Sequence, residues 1–344
     1  MTLTELKYIV AVARERHFGH AAEACFVSQP SLSVAIKKLE EELNVQIFER
    51  GTTEVSVTPV GERIISQAQR VLEQTLSIKE IARHGKDPLI GPLRLGVIYT
   101  IGPYLLPTLV RQMIKRVPQM PLMLQENYTL KLIELLKQGE IDVAIMALPF
   151  PEAGLMMRAL YDEPFVVALP AGHAWEKRAK IRPDDLKQET MLLLGVGHCF
   201  RNHVLGVCPE MMEFSQNADG IQKTFEGSSL ETIRHMVASG IGITVLPRMS
   251  VREMKPRTGG EDAGLLSYVP FDEPVPERRV ALVWRKSFTR LAAIDALCDA
   301  VRACDLPCVT MVDGKDRGKV GVLLTRPEDG AGKIGAKNRE KVGA

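Results

Sequence analysis

The sequence predicts an α/β chain in three parts: a small helical head, a long linker helix and a two-lobed body. Three observations carry this. Apolar residues recur at helical spacing in three short runs before Asn44. A broader apolar stripe then runs from Val60 to about Arg83, and from Leu93 to about Cys304 short apolar strands alternate with helical patterns. At 344 residues, and about 150 residues per domain, two or three units are expected. Hydrophobic residues at 45% and charged residues at 25% fit a folded chain rather than a disordered one. No apolar run approaches the ~18 residues of a membrane span, and MTLTELKYIV lacks the basic and apolar regions of a leader. Six irregularly spaced cysteines do not read as a secreted disulfide framework. The expected compartment is the cytoplasm, where thiols stay reduced and a disulfide would be a switch rather than a staple.

The head, residues 1–58, reads as three helices and a hairpin. Thr2 and Glu5 have capping-box spacing before an amphipathic helix over Leu3–Glu15. His17-Phe18-Gly19 breaks it, and a small-residue helix follows over His20–Cys25. Ser28 can cap the third helix, and Pro30 falls in its first turn, where a missing N–H costs nothing. In that helix Leu32, Ile36, Leu39 and Leu43 form one apolar stripe, while Ser31, Ser33, Val34, Lys37 and Lys38 point the other way. Hydroxyls, one methyl-bearing side chain and two ammonium groups are what a recognition helix needs for base edges, thymine methyls and phosphates. Alternation about a glycine in residues 50–58 predicts a short wing. The head has six basic and eight acidic residues, so any affinity for nucleic acid must rest on where the charges sit rather than on their sum.

Residues 59–88 read as a linker helix and hinge. Ile64, Ala68, Val71, Thr75, Ile78 and Ala82 keep an approximate heptad seam, which suits dimerisation better than an isolated helix. Strands are expected at Leu93–Val97, Pro121–Gln125, Ile141–Leu148, Phe165–Leu169, Met191–Leu194, Gly242–Leu246 and Arg279–Trp284. Helices are expected at Pro103–Arg116, Leu130–Gln138, Ser229–Ala238 and Leu291–Ala303. This predicts a mostly parallel sheet, with the chain crossing between lobes near Leu160, returning near Pro270, and leaving a cleft suited to a ligand. Residues 305–344 are expected to be mostly disordered.

The stretch from Ala21 to Leu43 (AAEACFVSQPSLSVAIKKLEEEL), continuing through Ile47-Phe48-Glu49-Arg50 to Thr58-Pro59-Val60-Gly61, resembles the N-terminal signature of LysR-type transcriptional regulators. The segment Gly197 to Cys208 (GHCFRNHVLGVC) resembles the redox loop of that family's peroxide-sensing members. Gly102 to Pro107 (GPYLLP) and Ser228 to Val237 (SSLETIRHMV) share that likeness, which covers about residues 1–304. The resemblance implies a winged helix-turn-helix head that reads the major groove of double-stranded promoter DNA through Gln29, Pro30, Ser31, Ser33, Val34, Lys37 and Lys38, with Arg50 near phosphates. It implies that residues 89–304 form a two-lobed, periplasmic-binding-protein-like α/β effector domain. There Cys199 meets hydrogen peroxide and Cys208 resolves it as a disulfide. Thr100, Thr129, His198, Arg201 and Arg279 line or support the pocket. The implied partners are a second copy or a homotetramer, RNA polymerase, and glutaredoxin or thioredoxin as reductant, with no membrane and no cofactor. One position departs: residue 202 is Asn where the familiar pattern has Asp, and Asn cannot act as a base near neutral pH.

The implied chemistry sets physical demands. Peroxide reacts with thiolate, so Arg201, His198 and nearby backbone N–H groups are expected to lower the Cys199 pKa. The Thr100 and Thr129 hydroxyls suit orientation of peroxide because they donate and accept. If nine residues of helix separate the two cysteines, the gap is about 13 Å at about 1.5 Å per residue. A disulfide needs Cα atoms within about 7 Å, so the helix would have to unwind. Blander readings stand beside this one. His198, Cys199, His203 and Cys208 match no standard zinc spacing. Cys25, Cys298, Cys304 and Cys308 read as core or adventitious thiols. The alternative function is a regulator of the same family that binds a small molecule in the cleft, with inert cysteines. No triad, phosphate loop or metal signature favours an enzyme.

Overall fold

The computed structural model describes residues 1–50, 55–84, 87–150, 154–208, 224–227, 229–251, 265–306 and 308–312. The head contains α1 (Leu3–Glu15), α2 (Phe18–Ala24) and α3 (Gln29–Leu43). The capping box forms as its spacing predicts: Glu5 N–H donates to the Thr2 hydroxyl at 3.2 Å, and Thr2 N–H donates to the Glu5 carboxylate at 2.7 Å. His17 both ends the first helix and begins the second. Its Nδ1 accepts from the N–H groups of Gly19 and His20, so α2 starts at Phe18, earlier than periodicity indicates. Ser28 caps α3, and Leu32, Ile36 and Leu39 bury completely against Ile9, Val12 and Ala21. Each such side chain contributes about 1.5–3 kcal/mol through burial. The strands β1 (Phe48–Arg50) and β2 (Val55–Val57) pair antiparallel as the wing; its tip, residues 51–54, lies outside the described residues.

Helix α4 spans Pro59–His84. Its seam divides between two uses. Ile65 and Ala68 are buried in the head's own core beside α1, whereas Ile78, nearly three turns further on, is 66% exposed. Part of the stripe therefore serves its own domain, whereas Ile78 is left without cover among the described residues.

The body holds two cores. The first packs α5 (Gly102–Arg116), α6 (Thr129–Gln138) and α9 (Leu291–Arg302) on β3 (Leu93–Ile98), β4 (Leu122–Asn127) and β5 (Val143–Ala147). The second gathers α7 (Cys199–Val207) and α8 (Leu230–Ala238) with β7 (Met191–Leu194), β9 (Thr244–Pro247) and β10 (Leu266–Pro270). Two strands join them. In β6 (Leu155–Pro170), Leu160 and Tyr161 belong to the first core, and Phe165 to Leu169 to the second; β11 (Glu277–Arg285) returns alongside it.

The expected mostly parallel sheet is corrected to a mixed one. β3 pairs parallel with β4 and β5, and β7 pairs parallel with β8 (Thr224–Gly227), but β6 is antiparallel to β9, β10 and β11, and β11 to β5. The physical reason is the crossing itself: one strand carries the chain out and its neighbour carries it back, so they must run oppositely. The expected tail also begins in order. β12 (Thr310–Met311) pairs with Asp162 and Tyr161 of β6, and residues 313–344 lie outside the described residues.

Arg290 is a main fastening of the hinge to the body, beside the bond from Gly91 N–H to the Gln119 carbonyl. Arg290, 2% exposed, donates to the carbonyls of Pro88, Ile90, Gly91 and Pro92 at 2.8–3.3 Å. Replacing Arg290 with Met removes every one of these charge-assisted bonds and leaves carbonyls unmet. Chemical denaturation of the Arg290→Met protein is expected to show a loss of about 3 kcal/mol, since bonds to charged groups are worth about 1.5–3 kcal/mol each and do not add fully.

Candidate redox site and DNA-binding face

Two helix starts meet at the reactive position. Gly197, at φ 103°, turns the chain after β7, and His198 precedes the first residue of α7, which is Cys199. Thr129 is the first residue of α6. Its hydroxyl oxygen is buried and makes no full hydrogen bond among the described residues, yet it lies close enough to the Cys199 sulfur to favour the thiolate. The His198 ring is buried edge-on to Tyr128, with centroids 4.7 Å apart, and so forms one wall beside the thiol. The Glu126 carboxylate rests against Gly102 at the start of α5, where a Cβ would fall 1.8 Å from its oxygen and displace it.

Arg278, not Arg279, supplies the cation at this site. Neighbours on a strand face opposite ways. Arg278 turns inward to a fully buried ion pair with Glu163 at 2.8 Å, and donates to the Thr100 hydroxyl at 2.7 Å and its carbonyl at 3.0 Å. Its guanidinium lies 5.2 Å from the Phe200 ring centroid. Arg279 turns the other way and pairs with Asp162 at 2.8 Å. The sequence marks both arginines equally, and only the strand register separates them. Arg201 likewise reaches elsewhere, donating to the Leu194 carbonyl at 3.2 Å.

The expected lowering of the Cys199 pKa is reversed. Burial pushes the thiol above its ordinary value; the Thr129 hydroxyl, the Arg278 charge and the N–H groups of Cys199 and Phe200 pull down without overcoming it. Near pH 7 the resting thiol is therefore mainly protonated, and fast attack on peroxide would rest on orientation and on stabilising the departing hydroxide. Cys199 packs against the first core, whereas Cys208, which ends α7, is buried in the second. Neither cysteine is in a disulfide, and nine helical residues, Cys199–Val207, separate them by about 13 Å at about 1.5 Å per residue. Asn202 is exposed on this helix. His203, which pattern reading raises only as a zinc ligand, is tied to the Leu148 carbonyl at 2.8 Å. Among the described residues no cluster of three or more His, Cys, Asp or Glu side chains could hold a metal.

The head presents the expected face. Gln29, Pro30, Ser31, Val34, Lys37 and Lys38 are exposed along α3 and Ser33 is half-buried; the Arg50 side chain lies outside the described residues. The nearby acids have structural partners. Glu40 accepts the N–H groups of Ile47 and Phe48 at the start of the wing, and Glu42 pairs with the Met1 amino group at 2.6 Å. The net negative count of the head is thus partly spent on holding it together.

A helical head with a hairpin wing, joined by a long helix to a two-lobed body that carries a thiol pair, defines a DNA-binding regulator with a built-in sensor domain. Residues 3–62 match the bacterial regulatory helix-turn-helix of the lysR family, and residues 86–304 match the LysR substrate binding domain. The chain belongs to the LysR family, within its OxyR group. It is 37% identical over 303 residues to the DNA-binding transcriptional dual regulator OxyR of Escherichia coli K12, covering 88% of this chain and 95% of that one. A full-length OxyR variant from Pseudomonas aeruginosa is 49% identical and superposes with a TM-score of 0.64, covering 91% of this chain and 99% of its own. A peroxide-bound mutant of Corynebacterium glutamicum OxyR is 32% identical, with a TM-score of 0.56 and coverage of 88% and 91%.

Because Thr129 Oγ1 makes no full hydrogen bond, Thr129→Val should fold normally. It removes a group that favours the thiolate, so the pH midpoint for iodoacetamide alkylation of Cys199 should move up. An unchanged midpoint would show that the hydroxyl does not act on the sulfur.

Proposed function

We propose that this chain is a peroxide-responsive transcriptional regulator in which Cys199 is the reacting thiol and Cys208 its disulfide partner. The observation that carries the reading is the placement of Cys199 at a helix start, beside an unengaged hydroxyl and a buried cation, with Cys208 sealed in the other core. The Cys199 thiolate attacks one peroxide oxygen, the O–O bond breaks, and the second oxygen leaves as hydroxide and takes a proton to become water. Cys208 then attacks the sulfenic sulfur, an S–S bond forms, and the hydroxyl leaves as a second water. Two thiols lose two electrons, and peroxide gains them. A glutaredoxin or thioredoxin dithiol returns them.

Closing the bond requires α7 to unwind, which disturbs the second core and the lobe junction. The exposed Ile78 on the heptad seam of α4 supports pairing with a second copy and assembly as a dimer or tetramer. The head, residues 1–58, would then place two α3 helices on promoter DNA in the cytoplasm, where the oxidised form alters contact with RNA polymerase.

Cys199→Ser is expected to abolish the peroxide-induced change in promoter footprint while keeping DNA affinity within about twofold of wild type, an effect under about 0.5 kcal/mol. A response that persists in this variant would favour a small molecule in the cleft as the cue. Cys208→Ser should stop at sulfenic acid, visible as a trapped adduct by mass spectrometry. On the DNA side, Lys37→Ala should weaken binding to all sequences alike and reduce the slope of log K against log salt by about 1.

A further inference from the structure

We infer that His203 is a positioning residue: its bond to Leu148 latches α7 to the first lobe and sets how fast Cys208 can reach an oxidised Cys199. This rests on the disulfide chemistry proposed above and adds what governs its second step. His203 stands one helical turn after Cys199, so both side chains lie on the same side of α7. Its Nε2–H donates to the Leu148 carbonyl at 2.8 Å. Leu148 packs on the first core, while Phe200, Val204 and Leu205 root α7 in the second. The bond therefore spans the two lobes at the helix that has to unwind.

The chemistry of the ring fits a latch rather than an acid or base. A carbonyl can only accept, so the proton sits on Nε2 and Nδ1 keeps its lone pair. That Nδ1 is buried and has no hydrogen-bond partner among the described residues. Burial and the nearby Arg278 charge take the pKa down to about 4, so the ring stays neutral and the tautomer stays fixed near pH 7. Phe165 and Phe200 flank the ring at 6.3 and 6.4 Å between centroids, which limits its rotation. Unwinding α7 must break the bond before the Cys208 sulfur can approach, so the latch stabilises the open dithiol and sulfenic forms against closure.

Two variants test this in the full chain. His203→Phe keeps a ring between the phenylalanines and loses the donor, whereas His203→Gln loses the ring and keeps an N–H donor within reach of Leu148. After a peroxide pulse, quenching by alkylation and mass spectrometry give the lifetime of the Cys199 sulfenic acid before disulfide closure. The lifetime should fall about five- to tenfold in the Phe variant, as expected for loss of one buried hydrogen bond, and stay within about twofold of wild type in the Gln variant. Hydrogen exchange on the reduced protein reads the same latch without peroxide: α7 amides should exchange faster by a similar factor in the Phe variant only. Equal behaviour of the two variants, or unchanged exchange in the Phe variant, overturns the latch. A wild-type protein that forms sulfenic acid but no Cys199–Cys208 bond overturns the disulfide reading instead, and the exchange result still decides whether the latch exists.

Discussion

A guanidinium without water around it is the constraint on which the sensor region depends. Arg278 and Glu163 have no exposed side-chain surface and lie on the two strands that join the lobes. Burying such a pair returns little net stability, because both charges lose their hydration. Breaking it would be expensive, since the survivor would be a bare buried charge. The register of β6 against β11 is therefore locked at the crossing. Through that lock Thr100 is held by two bonds from one side chain, and Glu163 spends its other oxygen on the Met249 N–H at 2.9 Å.

The same burial explains why the site is quiet at rest. Burial raises the thiol pKa, but low polarity around the sulfur also strengthens every dipole aimed at charge that would appear there. The backbone N–H groups at the start of α7 and the Arg278 cation already face the sulfur and need no reorganisation. On the proposed chemistry, a bulky electrophile in water would meet a mostly protonated, half-buried thiol, whereas a small polar oxidant would find donors in place.

Much of this was legible in the sequence, because much of it is local. Caps, turn residues and the apolar stripe of α3 are set within a few positions of one another, and they fold as the spacing says. Apart from the start of α2, which the His17 ring sets two residues early, the misses are non-local. β6 reads as a strand only at Phe165–Leu169, because Arg158, Asp162 and Glu163 interrupt the apolar run before it. In the fold each meets a distant charge, with Arg158 on Asp295 at 2.6 Å, Asp162 on Arg279 and Glu163 on Arg278. The choice between Arg278 and Arg279 is one residue of strand register, which no periodicity reports. The sign of the Cys199 shift depends on burial supplied by other elements, and the sequence around Cys199 shows only the groups that pull downward.

Helix α6 brings the sensor and the head into one frame. It begins at Thr129 beside the thiol, and Glu134, further along, meets Arg14 of α1 at 3.2 Å. Lys131 and Gln138 hold the same carboxylate, and together these partners keep it below the usual carboxylate range despite partial burial. An ion pair this exposed is worth at most about 1 kcal/mol, about a fivefold change in an equilibrium. That is too little to hold the head in place unaided. It is enough to bias the head's position relative to the body by a few-fold. The carboxylate that Arg14 meets is a fixed one, because Leu132, Ile133, Leu135 and Leu136 on either side of Glu134 seat α6 in the first core, so the pair orders only the arginine side chain and loses little entropy on the body's side.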